Sequence, residues 1–246
     1  MSSKLNSPIK VLIPIPDHDF DTTEVVVPWE RFKREGYHVT FSTPSGHRGN
    51  TDPLLLTGVL FGQLGASKEV IQLYRQLEET DEFKHPIQYE HIDCTEFDCI
   101  MLPGGHAKGM KSYLESGILQ QKILDFWKMD KPIGAICHGT IVLARTHDPE
   151  TGRSVIYGRK LTALTKKLER TAYYLTAWRH GKYYRTYPEY VQDEVVRNLE
   201  IPQHFTEGVS IRTPHVVKDG KLITARYPLD AVEFAEQLVS TINIRG

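Results

Sequence analysis

Short apolar runs rich in β-branched residues, separated by stretches of helical period, constrain this chain more than any other feature. Ile9–Ile15 (IKVLIPI), Tyr37–Thr43 (YHVTFST), Phe97–Leu102 (FDCIML) and Lys131–Ile136 (KPIGAI) read as strands. Thr23–Glu35 reads as a helix capped at Asp21 or Thr22 and ending at Gly36, with Pro28 implying a kink or a late start. Helices are also expected over 67–79, 118–129, 140–145, 168–178, 189–199 and 229–244. A further strand is expected near 160–164, and a hairpin over 216–223 turning at Asp219-Gly220. Strands that alternate with helices form a mostly parallel sheet covered on both faces, so the fold class is α/β. No repeat or linker divides the 246 residues, and one domain over 1–246 is expected. Residues 44–90 and 146–190 read as excursions from the sheet that form a small cap.

The bulk numbers exclude several function classes. Thirty basic residues face 31 acidic ones, a formal net charge of -1, which gives no pull toward nucleic acid or an anionic membrane. The stretch 169–190 mixes aromatic and basic residues, but it reads as packing over a site or as a subunit interface. No window is apolar over the roughly 18 residues of a membrane span. Residues 1–8 lack a signal-peptide core, so a soluble, cytoplasmic protein is expected. The three cysteines, Cys94, Cys99 and Cys137, are odd in number and without C-x-x-C spacing, which argues against a disulfide framework. His85 and His91 flank Glu90 without a tetrahedral ligand set. No metal and no cofactor are therefore expected.

In open parallel sheets ligands sit at the carboxyl ends of strands. Two such ends stand out: Leu102-Pro-Gly-Gly105, followed by His106, and Gly134-Ala-Ile-Cys137-His-Gly139. The second has the form of a nucleophile elbow, in which only small flanking residues fit and the nucleophile projects from the apex. Cys137 would then sit at a helix N-terminus, where orphan N–H groups favour a thiolate. Gly105 and the His138 amide would form an oxyanion hole. His106 either lines the pocket or sits on a surface turn.

With these motifs the sequence resembles the ThiJ/PfpI superfamily. The matching pieces are Thr23-Glu-Val-Val-Val-Pro28, Met101-Leu-Pro-Gly-Gly-His106, Ala135-Ile-Cys-His-Gly139 and Asp219-Gly-Lys-Leu-Ile-Thr-Ala-Arg226, in the family's order. The resemblance implies a flavodoxin-like sandwich with the class I glutamine amidotransferase type of elbow, often as a homodimer. The long excursions resemble the capped branch, which includes glutathione-independent glyoxalases (glyoxalase III) and stress chaperones. It also implies roles: Cys137 as nucleophile, His138 as its histidine, Glu24 as the carboxylate leaning over the sulfur, and Glu169 as the acid that orients the imidazole. Lys166 and Lys167 stand before Glu169 where the family has a richer acidic run. A carboxyl close to a thiolate resists ionisation, so Glu24 is expected to hold its proton.

The activity expected from the resemblance is conversion of methylglyoxal or glyoxal to lactate or glycolate, with a small dicarbonyl as the partner. A protease, amidase or deglycase would use the same residues. An amidotransferase would need a late His-x-Glu pair, but His215 is followed by Val216-Val217. A third possibility is a holdase chaperone with a redox-sensing thiol, which would need exposed apolar surface.

Overall fold

A computed structural model describes residues 8–60 and 65–244; residues 1–7, and residues 61–64 of the expected cap excursion over 44–90, lie outside the described residues. In chain order the elements are β1 (Lys10–Pro14), β2 (His18–Phe20), α1 (Thr22–Arg34), β3 (His38–Thr43), β4 (Asn50–Thr51), α2 (Pro53–Thr57), α3 (Lys68–Glu78), α4 (Asp81–Lys84) and β5 (Ile87–Gln88). They continue with β6 (Cys99–Leu102), α5 (Lys111–Leu114), α6 (Gly117–Lys128), β7 (Ile133–Ile136), α7 (Gly139–Arg145), α8 (Lys166–His180), α9 (Val191–Arg197), β8 (Val216–Asp219), β9 (Leu222–Ala225) and α10 (Ala231–Asn243).

Seven strands form one sheet in the order β5-β3-β1-β6-β7-β9-β8. All pair in parallel except β8, which runs antiparallel to β9 through the expected hairpin at Gly220 (φ 62°). The five central strands have the order 2-1-3-4-5 of a flavodoxin-like sheet. β1, β6, β7 and β9 are almost wholly buried, which explains why they read as continuous apolar runs and not as alternating ones. α1 and α10 pack on each other, with α1 also on β3 and α10 on β7 and β9; α6 and α7 pack on β6 and β7 respectively. The interface between these layers is filled by Phe32, Phe126, Phe234 and Leu238, none of them exposed. Each such side chain contributes roughly 1.5–3 kcal/mol of transfer free energy.

Three expectations needed correction. Pro28 neither delays nor ends α1, whose start is fixed upstream by the Asp21 carboxylate accepting from the amides of Thr23 (2.8 Å) and Glu24 (3.0 Å). The stretch near 160–164 is no sheet strand; only Leu161 bridges, to Phe205. The excursion over 44–90 divides in two. α3 packs against α1, and β5 extends the main sheet beside β3, so these belong to the sandwich. Among the described residues, the turn to Val59 and Asp52 at the start of α2 reach the cap.

That cap is built around α8. Thr165 caps it, its hydroxyl accepting from the Leu168 amide at 3.3 Å. Two long-range hydrogen bonds tie it to the other excursion: His180 Nε2 to the Val59 carbonyl (2.7 Å) and the Tyr183 hydroxyl to Asp52 Oδ1 (3.0 Å). Some basic and aromatic residues of 169–190 lie against each other, as where the Arg185 guanidinium lies 3.8 Å from the Tyr190 ring centroid.

Candidate active site

The strand order reverses between β1 and β6, and Cys137 stands one strand further on, at the carboxyl end of β7. It follows β7 directly and has φ 57°, a left-handed backbone that a non-glycine residue adopts only when its surroundings impose it. Two glycines make the turn possible. A Cβ on Gly139 would collide with the Leu102 carbonyl oxygen and lie 2.7 Å from that of Pro103. A Cβ on Gly104 would lie 2.7 Å from the His138 nitrogen, 2.8 Å from Glu24 Oε2 and 2.9 Å from Cys137 Cβ. Gly104 therefore lets the β6 and β7 ends touch. A Cβ on Gly105, expected in the oxyanion hole, would lie 2.5 Å from the Asp19 carbonyl oxygen and 2.8 Å from the Met110 sulfur, so only glycine fits there as well. The His138 amide does donate toward the sulfur.

The Cys137 sulfur has no exposed surface, yet its neighbours are polar. His138 Nδ1 lies 3.5 Å away and His106 Nε2 3.8 Å away, with the two imidazole rings 4.8 Å apart and steeply inclined. The Glu24 carboxyl interacts with the thiol from the α1 side. Glu24 Oε2 accepts from the Gly104 amide at 2.8 Å, while buried Oε1 has no hydrogen-bond partner of good geometry. Burial, and then the nearby Asp21 charge, hold Glu24 well above the usual carboxylate range. A proton on Oε1 is thus the expected state. Asp21 is itself pushed up to about 6, chiefly by burial.

The expected thiolate does not survive this geometry. Burial pushes the Cys137 thiol well above its usual value, Glu24 and Asp21 add to the effect, and the His138 amide only partly opposes it. α7 spans seven residues, so its dipole is weak against the loss of solvation. Burial also keeps both imidazoles neutral: His106 falls to about 4 and His138 well below its ordinary value. Burial therefore favours the neutral forms of the thiol, of both imidazoles and of the Glu24 carboxyl.

Glu169 stands elsewhere. Its Oε1 accepts from Arg185 at 3.1 Å and its Oε2 from the Val191 amide at 3.0 Å, so the hydrogen bonds it makes hold the cap and do not reach His138. Its link to the site runs through Arg185, whose charge is one of those that disfavour protonation of His138. His106, Cys137 and His138 offer ligand atoms all within 4.8 Å of one another, a donor set suited to a soft divalent cation that the sequence reading did not contain. His91 meets only Glu90, at 3.6 Å, on the exposed surface.

A family model described as ThiJ/PfpI family-like matches residues 15–197. The chain belongs to the ThiJ/PfpI family. An uncharacterized protein of Schizosaccharomyces pombe is 32% identical over 145 residues; the match covers 58% of this chain and about half, 53%, of that protein. Glyoxalase 3 of Candida albicans is 23% identical over 217 residues, covering 88% of this chain and 86% of the relative. The crystal structure of a glyoxalase III from Candida albicans superposes with a TM-score of 0.74 at 20% identity, covering 95% of this chain and 97% of the other. This likeness shows the ThiJ/PfpI fold. Among the described residues, no helix is long and apolar enough to cross a membrane.

Two parts of this ThiJ/PfpI site were missed from sequence. His106 was left open because a residue after Gly-Gly can point either way; its placement is fixed by a cap contact, the Thr186 hydroxyl donating to its carbonyl at 2.6 Å. Asp21 was read only as a helix cap. Its position three residues before Glu24, on the first turn of the same helix, was the available signal.

Proposed function

We propose that this protein converts 2-oxoaldehydes to 2-hydroxy acids without glutathione, with methylglyoxal to lactate as the type reaction. The observation that supports it is the shell around one sulfur: a thiol with imidazole nitrogens at 3.5 and 3.8 Å and a proton-holding carboxyl on its other side. A reaction that adds a sulfur to a carbonyl and then moves a proton between adjacent carbons needs these groups.

In the proposed sequence Cys137 Sγ adds to the aldehyde carbon. The thiol proton passes to His138 Nδ1 and on to the former carbonyl oxygen, giving a neutral hemithioacetal. The backbone N–H groups of His138 and Gly105 stabilise the developing alkoxide. His138 then removes the proton on the aldehyde carbon, and the electron pair moves to form an enediolate across both carbons. Return of that proton to the second carbon, with the hydroxyl proton of the first carbon passing to the oxygen of the second, leaves a thioester on Cys137. Water cleaves the thioester, releasing the hydroxy acid and restoring the thiol, so the balance is one dicarbonyl plus one water. Glu24, through Oε1, donates to the sulfur and steadies it as it gains and loses charge. Glu169 acts as a positioning residue through Arg185.

Purified protein incubated with methylglyoxal, without glutathione, is expected to form lactate, and Cys137→Ala to form none above background. An inactive wild type, or a variant with wild-type turnover, overturns the reading. The homodimer implied by the family is part of the proposal and is checked by sedimentation velocity.

One observation favours a second role. Tyr174, Leu175 and Trp178 on α8 are 64%, 50% and 67% exposed, an apolar surface of the kind a holdase presents. Suppression of client aggregation that persists in Cys137→Ala would support it; suppression that vanishes with the thiol would end it.

A further inference from the structure

A cavity of about 290 Å³ lies between α8 and the elbow. Its walls are Leu55 and Val59 from one excursion and Leu164, Leu168, Ala172 and Leu175 from the other, so its middle is almost wholly apolar. Its inner end is different. There it is lined by Asp21, His106 and Tyr184. His106 Nδ1 is buried without a hydrogen-bond partner of good geometry, whereas the Tyr184 hydroxyl lies within hydrogen-bonding reach of Asp52. Buried polar atoms left unpaired cost free energy unless a ligand supplies the partner. The same His106 ring carries Nε2 3.8 Å from Cys137 Sγ, so it separates the cavity from the sulfur.

We infer that this cavity is the side-chain pocket of the substrate, and that the preferred substrate is a 2-oxoaldehyde bearing an apolar chain of several carbons, with methylglyoxal a short analogue. The inference rests on the reaction proposed above and adds its specificity. The dicarbonyl head lies at the inner end, its ketone oxygen accepting from His106 Nδ1–H. The His106 ring swings aside to admit the aldehyde carbon to the sulfur. The alkyl chain lies along Leu164, Leu168 and Ala172, toward the mouth at exposed Thr171 and Leu175. A methyl group would leave most of the cavity to water, and apolar walls gain nothing from that. Charged tails are disfavoured, since the walls offer them no partner.

The test is a series of alkylglyoxals, from methyl to hexyl, assayed as kcat/KM on wild-type protein. Each methylene is expected to raise kcat/KM about fourfold until the cavity is filled. Ala172→Trp, which fills the middle of the cavity, is expected to flatten the series. The wild-type series decides the matter even if that variant folds poorly. A flat or falling series with active turnover of methylglyoxal overturns this inference and leaves the proposed reaction standing. An Ala172→Trp protein that retains the full slope also overturns it. Absence of turnover on every member overturns the reaction and the inference together.

Discussion

The floor of the site and its cap are built by different means. The floor is backbone: strand ends, glycines without room for a Cβ, and a cysteine held at φ 57°. Its polar groups are buried, and their positions follow from the sheet. The cap is side chains on one helix that borders solvent. α8 buries only Glu169 and Thr176 and is secured by scattered contacts such as His180 to Val59. The comparison separates two tasks. Chemistry needs atoms fixed to within tenths of an ångström, which a packed sheet supplies. Selection of a substrate needs a replaceable wall, which a surface helix supplies.

The sharpest way to break this division is Cys137→Ala. Lactate formation is expected to fall by at least about 10³-fold, as for other covalent nucleophiles; a smaller loss in a steady-state assay places the chemistry elsewhere. Glu24→Gln comes next. It keeps the shape of the side chain but removes the acid proton aimed at the sulfur, and kcat is expected to drop by roughly 10²-fold. Retention of full kcat would remove Glu24 from the floor's working groups. Gly104→Ala tests the backbone claim: a Cβ within 3 Å of the His138 nitrogen forces the elbow apart. A destabilisation of about 1–3 kcal/mol, read from urea unfolding, is expected with a parallel loss of activity.

The cap should respond more mildly and through pH. Glu169 is pushed up to about 7 from an ordinary 4.5, mainly by burial. The folded protein therefore holds that proton more tightly than the unfolded chain does. The resulting stabilisation is complete below about pH 4.5, fades as pH rises through 7, and is absent above it. Glu169→Gln should flatten the fall of Tm across that window in calorimetry. A residual slope of the same sign is expected from Asp21, held at about 6. An unchanged profile would show that the Glu169 carboxyl is already ionised in the folded protein. Smallest of all, Trp178→Ser should change stability by no more than about 0.5 kcal/mol, because the ring is 67% exposed.

Much of the floor was legible in the sequence. The β6 and β7 runs, Gly104, Cys137 and Gly139 are local signals: each says how the backbone must turn within a few residues. Glu24 was legible through family resemblance; its hold on a proton was expected from a neighbouring thiolate, whereas burial and then Asp21 cause it. The Glu169 partner was not legible. Arg185 lies on the far side of α8, and only the way the chain returns after Gly181 (φ 56°) brings the two together. The thiolate was misread for a related reason. A helix N-terminus can be seen in sequence, but the depth at which it is buried cannot, and here desolvation outweighs the dipole.

The sequence by itself determined the α/β alternation, the parallel sheet and the elbow, because these depend on periodicity and on backbone sterics over short separations. Tertiary structure alone decided that the thiol rests protonated, that His106 stands between sulfur and cavity, and that Glu169 holds Arg185. Those outcomes depend on burial and on side chains brought together from distant positions, and neither quantity is written at any one place along the chain.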